Sequence, residues 1–307
     1  MSEFIVFVLA TAVHMMVPIL LPALGETLSQ RSGVLNLGIE GIMLMGASLG
    51  LIATHITGSP YIGLGAALAG GLLFGLATLV IVILLHVDQV INGVGIWLLG
   101  LGASTFLLKW YVAGLPQFPT IKTLEAIPVP YLSKLPFIGP VLFQQNFLVY
   151  ASILAVALFW LILFKTTFGL NIRAVGENPL AAENAAINVN WVRSITILVS
   201  AAMAGLGGCY LSIAHVGLFT HNMVAGRGFI AIAIVVFSKW NPARAILGAL
   251  IFGGAEALQI HIQALGVMVP YQFLSMLPYL LTISMMVAIG RKAEFPKALT
   301  VPYKRAR

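Results

Sequence analysis

Apolar residues gather along this chain into long, nearly continuous runs and do not alternate with polar ones. About 20 mostly apolar residues of helix cross a bilayer. Runs of roughly that length stand at 4–24, 38–57, 60–86, 88–112, 146–164, 194–215, 244–262 and 269–289. A further run at 228–239, within GFIAIAIVVFSKW, is short. It either extends backward through the 216–227 loop or enters the membrane from one side and returns. The length and continuity of the runs predict helices. Barrel strands are about 10 residues long and alternate. The expectation is an all-α polytopic membrane protein with about nine spans over residues 1–290.

Composition sharpens this. The 307 residues are 60% hydrophobic and 8% charged, and the mean hydropathy is +1.03. Soluble domains carry about 25% charged residues, so a soluble fold is excluded. Net charge is +7, and six of the sixteen basic residues follow Gly290: Arg291, Lys292, Lys297, Lys304, Arg305 and Arg307. Cationic residues stay on the cytoplasmic side, which predicts a basic cytoplasmic tail at 291–307. The linker 239–243, the segment 165–193 with Lys165, Arg173 and Arg193, the 86–88 turn and the Arg31 region then also lie inside. The loop 113–145 lies outside despite Lys122 and Lys134, as does the N-terminus. Spans 1–4 and 6–9 enter from opposite sides, the pattern of a 4+4 inverted repeat. Nucleic-acid binding is not expected, because no aromatic residues are interleaved with the basic ones. No basic segment leads the first run, so no cleavable signal is expected.

The single cysteine, Cys209, cannot form an internal disulfide and sits among glycines. His14 has no second ligand at metal spacing, so no metal site is expected. Glycines at helix-contact spacing, Gly46 with Gly50 and Gly71 with Gly75, point to closely packed helices.

Polar residues inside apolar runs narrow the search for function. A charge at mid-membrane costs about 2.5–3.5 kcal/mol on insertion scales. Glu256 lies near the middle of its run, with Gln259 and Gln263 on the same helical face. That stripe either lines a path for a polar solute or forms a hydrogen-bond cluster between helices; His261 falls off it. Asp88, Gln89 and Asn92 open the fourth span near a membrane boundary, where a solvated cap or a contact to a partner is expected ahead of a substrate site. Between the first two spans, SQRSGVLNLGIEGIMLMGA holds Arg31, Asn36 and Glu40 among glycines. Gly33 and Gly38 interrupt the helix, and irregular backbone survives at membrane depth only where protein buries it or a watery cavity touches it. Arg31 and Glu40 are close enough to pair if the segment folds back, and Asn36 can satisfy freed backbone groups. The segment is either a path-lining bend or an ordinary charged turn.

The longest inner segment between spans is 165–193. Gly169 and Gly176 are read as turns, Asn178 as an N-cap and Pro179 as a first helical residue. A short helix over PLAAENAA, ending near Ile187 and Asn188, is predicted. It is either a surface connector or a knob for a partner.

GLNIRAVGENPLAAENAAINV resembles the cytoplasmic coupling loop of bacterial ABC importer permeases that serve ribose, other sugars, nucleosides and branched-chain amino acids. The Ser29–Ala47 stretch resembles the signature of the nucleoside and simple-sugar branch. DQVINGVGIWLLGLG, the run from Gly226 to Gln259, and MLPYLLTI fit the same branch. The resemblance implies a permease subunit of the cytoplasmic membrane, working by alternating access on a nucleoside or simple sugar. It implies Gly176, Glu177, Asn178, Pro179, Ala182 and Glu183 as the contact to an ABC ATPase. Asn36, Glu40, Glu256 and Gln259 become candidates for the substrate path. Further expected partners are the lipid bilayer, a second related permease in a heterodimer and an extracytoplasmic solute-binding protein. The chain has no G-x-x-x-x-G-K-[ST] loop and no Gly-Lys dipeptide, so ATP is expected on the partner and no cofactor here. An ion-coupled secondary transporter is the rival, with Glu256 as its coupling carboxylate. No catalytic residues are expected: neither paired aspartates nor a Ser–His constellation stands on the spans.

Overall fold

The computed structural model describes residues 2–265, 270–290 and 294–303. Among these the chain is almost wholly helical. Helices α1 (Ser2–Arg31), α2 (Ile39–Thr57), α3 (Pro60–Leu79), α4 (Gln89–Val112) and α5 (Phe147–Lys165) come first. Two short helices follow, α6 (Thr167–Glu177) and α7 (Pro179–Asn184). The chain then forms α8 (Val189–Cys209), α9 (Arg227–Phe237), α10 (Pro242–Ala264), α11 (Tyr271–Ser275) and α12 (Leu277–Gly290). One π-helical stretch, Val80–Leu84, extends α3, and another, Tyr210–Val216, extends α8.

Seven helices among the described residues are long and apolar enough to cross a membrane, and two more, over Arg227–Phe237 and Gln272–Met285, are apolar but shorter. Together they cover the nine runs. The starts follow from local chemistry. Asn146, Asn178, Asn188 and Asn241 cap α5, α7, α8 and α10 through their side-chain oxygens. Pro60, Pro179 and Pro242 begin their helices where a missing N–H costs nothing. Asp88 caps α4 by accepting the N–H groups of Val90 and Ile91 at 2.8 and 3.0 Å, as expected, but Gln89 and Asn92 are buried and not solvated, and Gln89 accepts the Leu35 N–H at 2.8 Å.

Two helices form the centre. α1 packs on α8 and α10, and α2 is enclosed by α3, α4 and α8. One apolar core surrounds α1 through Leu20, Leu24, Phe252 and Trp240; another surrounds α2 through Ile42, Met43, Phe74 and Ile96. Outside the bundle, Ala126–Pro128 (β1) and Gln144–Asn146 (β2) pair antiparallel with Ile127 opposite Gln145. Close helix contact depends on glycine. A Cβ at Gly25 of α1 would stand 2.7 Å from the Cα of Ser200 in α8. Gly25→Ala must therefore push the two backbones apart, an overpacking cost of about 1–3 kcal/mol. A lower thermal midpoint of the detergent-purified protein is the expected reading.

Three expectations are corrected. First, α1 does not stop at residue 24: its last turns carry Glu26, Thr27, Ser29 and Gln30, all at most 1% exposed. These polar groups continue the helix because each finds a partner inside the protein. Second, Gly169 and Gly176 are not turns but lie within α6. Both are buried, Gly169 against the α5 carbonyls of Ile162 and Leu163 and Gly176 against that of Arg31. Third, α7 ends at Asn184, short of Ile187, because Ala186 turns to φ +61° and the Ile187 N–H returns to the Ala182 carbonyl at 3.0 Å. Within the basic tail Lys297 is described; Arg291, Lys292, Lys304, Arg305 and Arg307 lie outside the described residues.

Candidate functional site

The short run at 228–239 becomes the centre of the site. α9 has 11 residues, which at 1.5 Å per residue is about 16 Å, roughly half of a 30 Å hydrocarbon core. Its C-terminal end turns directly into α10, so its N-terminus stops inside the bundle. A helix start leaves N–H groups unpaired and carries partial positive charge. Glu40, 2% exposed, meets both demands. Its carboxylate accepts the N–H of Gly226 at 2.7 Å and of Gly228 at 2.8 Å. Gly226 needs its freedom, with φ at +82°, and a Cβ on Gly228 would fall 2.8 Å from the Glu40 backbone.

Between these glycines, Arg227 projects to α10 and forms an ion pair with Glu256. The pair is largely enclosed, with the two side chains 17% and 14% exposed. Arg227 also donates to the carbonyls of Met223 and Val224 at 3.0 and 2.9 Å. The Tyr279 hydroxyl donates to the Ala225 carbonyl at 2.6 Å, so the loop before α9 is held at three consecutive carbonyls. A cavity of about 130 Å³ opens beside the pair, lined by Ile19, Phe252, Gln259 and Tyr279 among others. His215, at the end of the π-helical stretch, lies within electrostatic reach of Arg227 and Glu256.

Three of the four candidate path residues, Glu40, Glu256 and Gln259, thus converge on the start of α9. Asn36 does not join them. It stays at the bend, where its side-chain oxygen accepts the Gly38 N–H at 3.0 Å and its own N–H donates to Glu26 at 3.0 Å. There it satisfies freed backbone, one of the two roles foreseen for it. Arg31 and Glu40 do not pair. Arg31 stands 5.7 Å from the Trp240 ring centroid, and Glu40 is taken by α9. Gln263 is exposed. His14 is packed as expected, its ring nitrogen 2.7 Å from the Tyr210 hydroxyl.

Sequence reading missed Arg227, which lay in a loop next to the weakest run, and Glu26, which lay just beyond the first. Glu26 accepts from Gln30 and Ser200 at 3.0 Å each, and Gln30 in turn accepts from the Trp240 indole at 2.9 Å. The Glu26–Gln30 spacing of four residues was the available signal.

Between α6 and α7, Asn178 caps α7 by accepting the Ala181 N–H at 3.1 Å. Glu177, Asn178 and Leu180 face outward, Gly176 and Ala182 face the bundle, and Glu183 bonds the Tyr303 hydroxyl.

A polar half-helix site inside an apolar bundle, with two short helices beside it, fits a membrane permease. The chain belongs to the branched-chain amino acid transport system / permease component family, whose model matches residues 8–289. It is 40% identical to the guanosine ABC transporter permease protein NupQ of Bacillus subtilis over 93% of this chain and 92% of that protein. It is 34% identical to the nucleoside ABC transporter permease protein NupC of Lactococcus lactis over 94% of each. The guanosine ABC transporter permease protein NupP of Bacillus subtilis is 25% identical over 84% of this chain and 76% of that one. The protein is therefore a multi-pass permease subunit of an ABC transporter, not an enzyme, and its family works with an ATPase and a solute-binding protein.

Proposed function

We propose that this chain supplies half of the membrane path of an importer for nucleosides, with simple sugars as the second class. It works by alternating access, driven by ATP bound to a partner ATPase. The observation that carries the reading is the enclosed polar site at the start of α9. Ribose hydroxyls and base edges need donors and acceptors at mid-membrane, and Arg227, Glu256 and Gln259 offer both. The nucleoside preference rests on the names of the relatives. Uptake into proteoliposomes holding the permeases, the ATPase and the binding protein tests it: guanosine should enter with ATP hydrolysis, and glucose should compete weakly. Glucose uptake without guanosine uptake would reverse the order.

A second, related permease completes the path. NupQ and NupP are two permeases of one organism with one named substrate, and this chain resembles both. The C-terminus lies inside and the N-terminus outside, following the basic residues at 165–193 and 291–307. The outward edge where α6 passes into α7, with Glu177, Asn178 and Leu180, docks the ATPase, while Gly176 of α6 and Ala182 of α7 seat the two helices on the bundle. Replacing residues 179–186 with a Gly/Ser linker should leave the chain inserted and abolish co-purification of the ATPase. Undiminished co-purification would overturn the docking role.

A further inference from the structure

Arg193, near the start of α8, is 1% exposed. No carboxylate stands within ion-pair distance of it among the described residues. Its partners are carbonyls on two separate pieces of chain: Nε donates to Ser32 and Nη1 to Val301, each at 3.1 Å. Among the described residues, Nη2 is buried without a hydrogen-bond partner. It lies where Gly33 passes: a Cβ there would fall 2.7 Å from it. A buried guanidinium without counter-charge is a poor source of stability. Its position is more informative: it fastens the carbonyl left free where α1 breaks to the segment 294–303.

That segment holds the inner helices as well. The Ala298 N–H donates to the Gly176 carbonyl of α6 at 2.9 Å. The Tyr303 hydroxyl bonds Glu183 of α7, and the guanidinium of Arg193 stands 6.0 Å from the Tyr303 ring centroid. On the other side the bend leads within seven residues to Glu40, which holds the start of α9. Contacts therefore run without a gap from α6 and α7, through 294–303 and Arg193, to the bend and the path.

We propose that the segment 294–303, fastened by Arg193, carries the displacement of α6 and α7 to the bend at 32–38, and that Arg193 is a positioning residue for coupling ATP hydrolysis to solute movement. This rests on the reading that α7 docks the ATPase. Coupling between distant sites needs an element that both ends move, and 294–303 is bonded to both.

The test uses the assembled complex in proteoliposomes, with ATP hydrolysis and solute uptake measured side by side. Arg193→Met keeps bulk and removes both hydrogen bonds. The ATPase should still co-purify and hydrolyse ATP, while solute moved per ATP falls on the order of tenfold, within the usual range of site-to-site coupling. Arg193→Lys, which can still donate to either carbonyl, should recover part of the ratio. A second variant, Tyr303→Phe, removes the Glu183 contact with little change in volume and should lower the ratio in the same direction. An unchanged ratio in both Arg193→Met and Tyr303→Phe would overturn the proposal. So would loss of ATPase co-purification, which would make the segment part of assembly. Failure of the underlying reading shows differently: the chain with residues 179–186 replaced by a Gly/Ser linker would then still co-purify the ATPase.

Discussion

Glu256→Ala is expected to stop solute uptake and to lower the yield of folded complex. The substitution leaves Arg227 charged and enclosed with no counter-charge, and breaking a buried pair from one side costs about 3–5 kcal/mol. Loss of yield alone would say nothing about transport. The informative comparison is the double variant Arg227→Met with Glu256→Leu. Replacing a buried pair by apolar residues of similar volume is often neutral, so this variant should regain the thermal midpoint of the native protein in detergent. Uptake should not return with it, because the donors and acceptor beside the cavity are gone. Native uptake by the double variant would reduce the pair to a device for packing α9 on α10.

The second large effect is expected at Glu40. Glu40→Ala orphans the N–H groups of Gly226 and Gly228, the second of which is buried. A buried donor left without a partner costs about 1–3 kcal/mol. Taking roughly 2–3 kcal/mol for the two together, the ordered start of α9 should lose about 30- to 150-fold in population. Hydrogen exchange over 226–230 should accelerate accordingly, with uptake falling while α2 itself stays folded. Protection equal to that of the native protein would show that another group caps α9. Glu40→Gln should be intermediate, because the amide keeps one acceptor and turns an N–H toward the other donor.

The sequence carried most of the architecture because a span writes itself into composition. Twenty apolar residues admit few alternatives in lipid, and the runs at 60–86, 88–112 and 146–164 fall within two residues of the helices found there. Caps were legible for the same local reason, as Asp88 and Asn178 show. What escaped were polar residues whose partners are remote in sequence. Glu26 and Gln30 ended the first run by composition, yet Ser200 and Trp240 make them helical. Arg193 served as a marker of the inner surface until packing showed it inside the protein. Glu256 was legible as a buried charge, and Arg227 was not legible as its partner, because 29 residues and a turn separate them. The Arg31–Glu40 pairing failed because opposite charge at short spacing is weaker guidance than two unpaired N–H groups at a helix start.

The brevity of α9 also constrains how the protein is made. Eleven residues are too few to be recognised as a transmembrane segment by the insertion machinery as they leave the ribosome. The segment can enter the lipid only as a passenger of α10, with which it forms a hairpin through Ser238–Asn241. Its buried end then needs Glu40, synthesised some 186 residues earlier, already waiting. The polar site at the start of α9 is therefore completed late in biogenesis, and truncated chains released before α10 should leave α9 accessible to aqueous thiol reagents even when α1 through α8 are embedded.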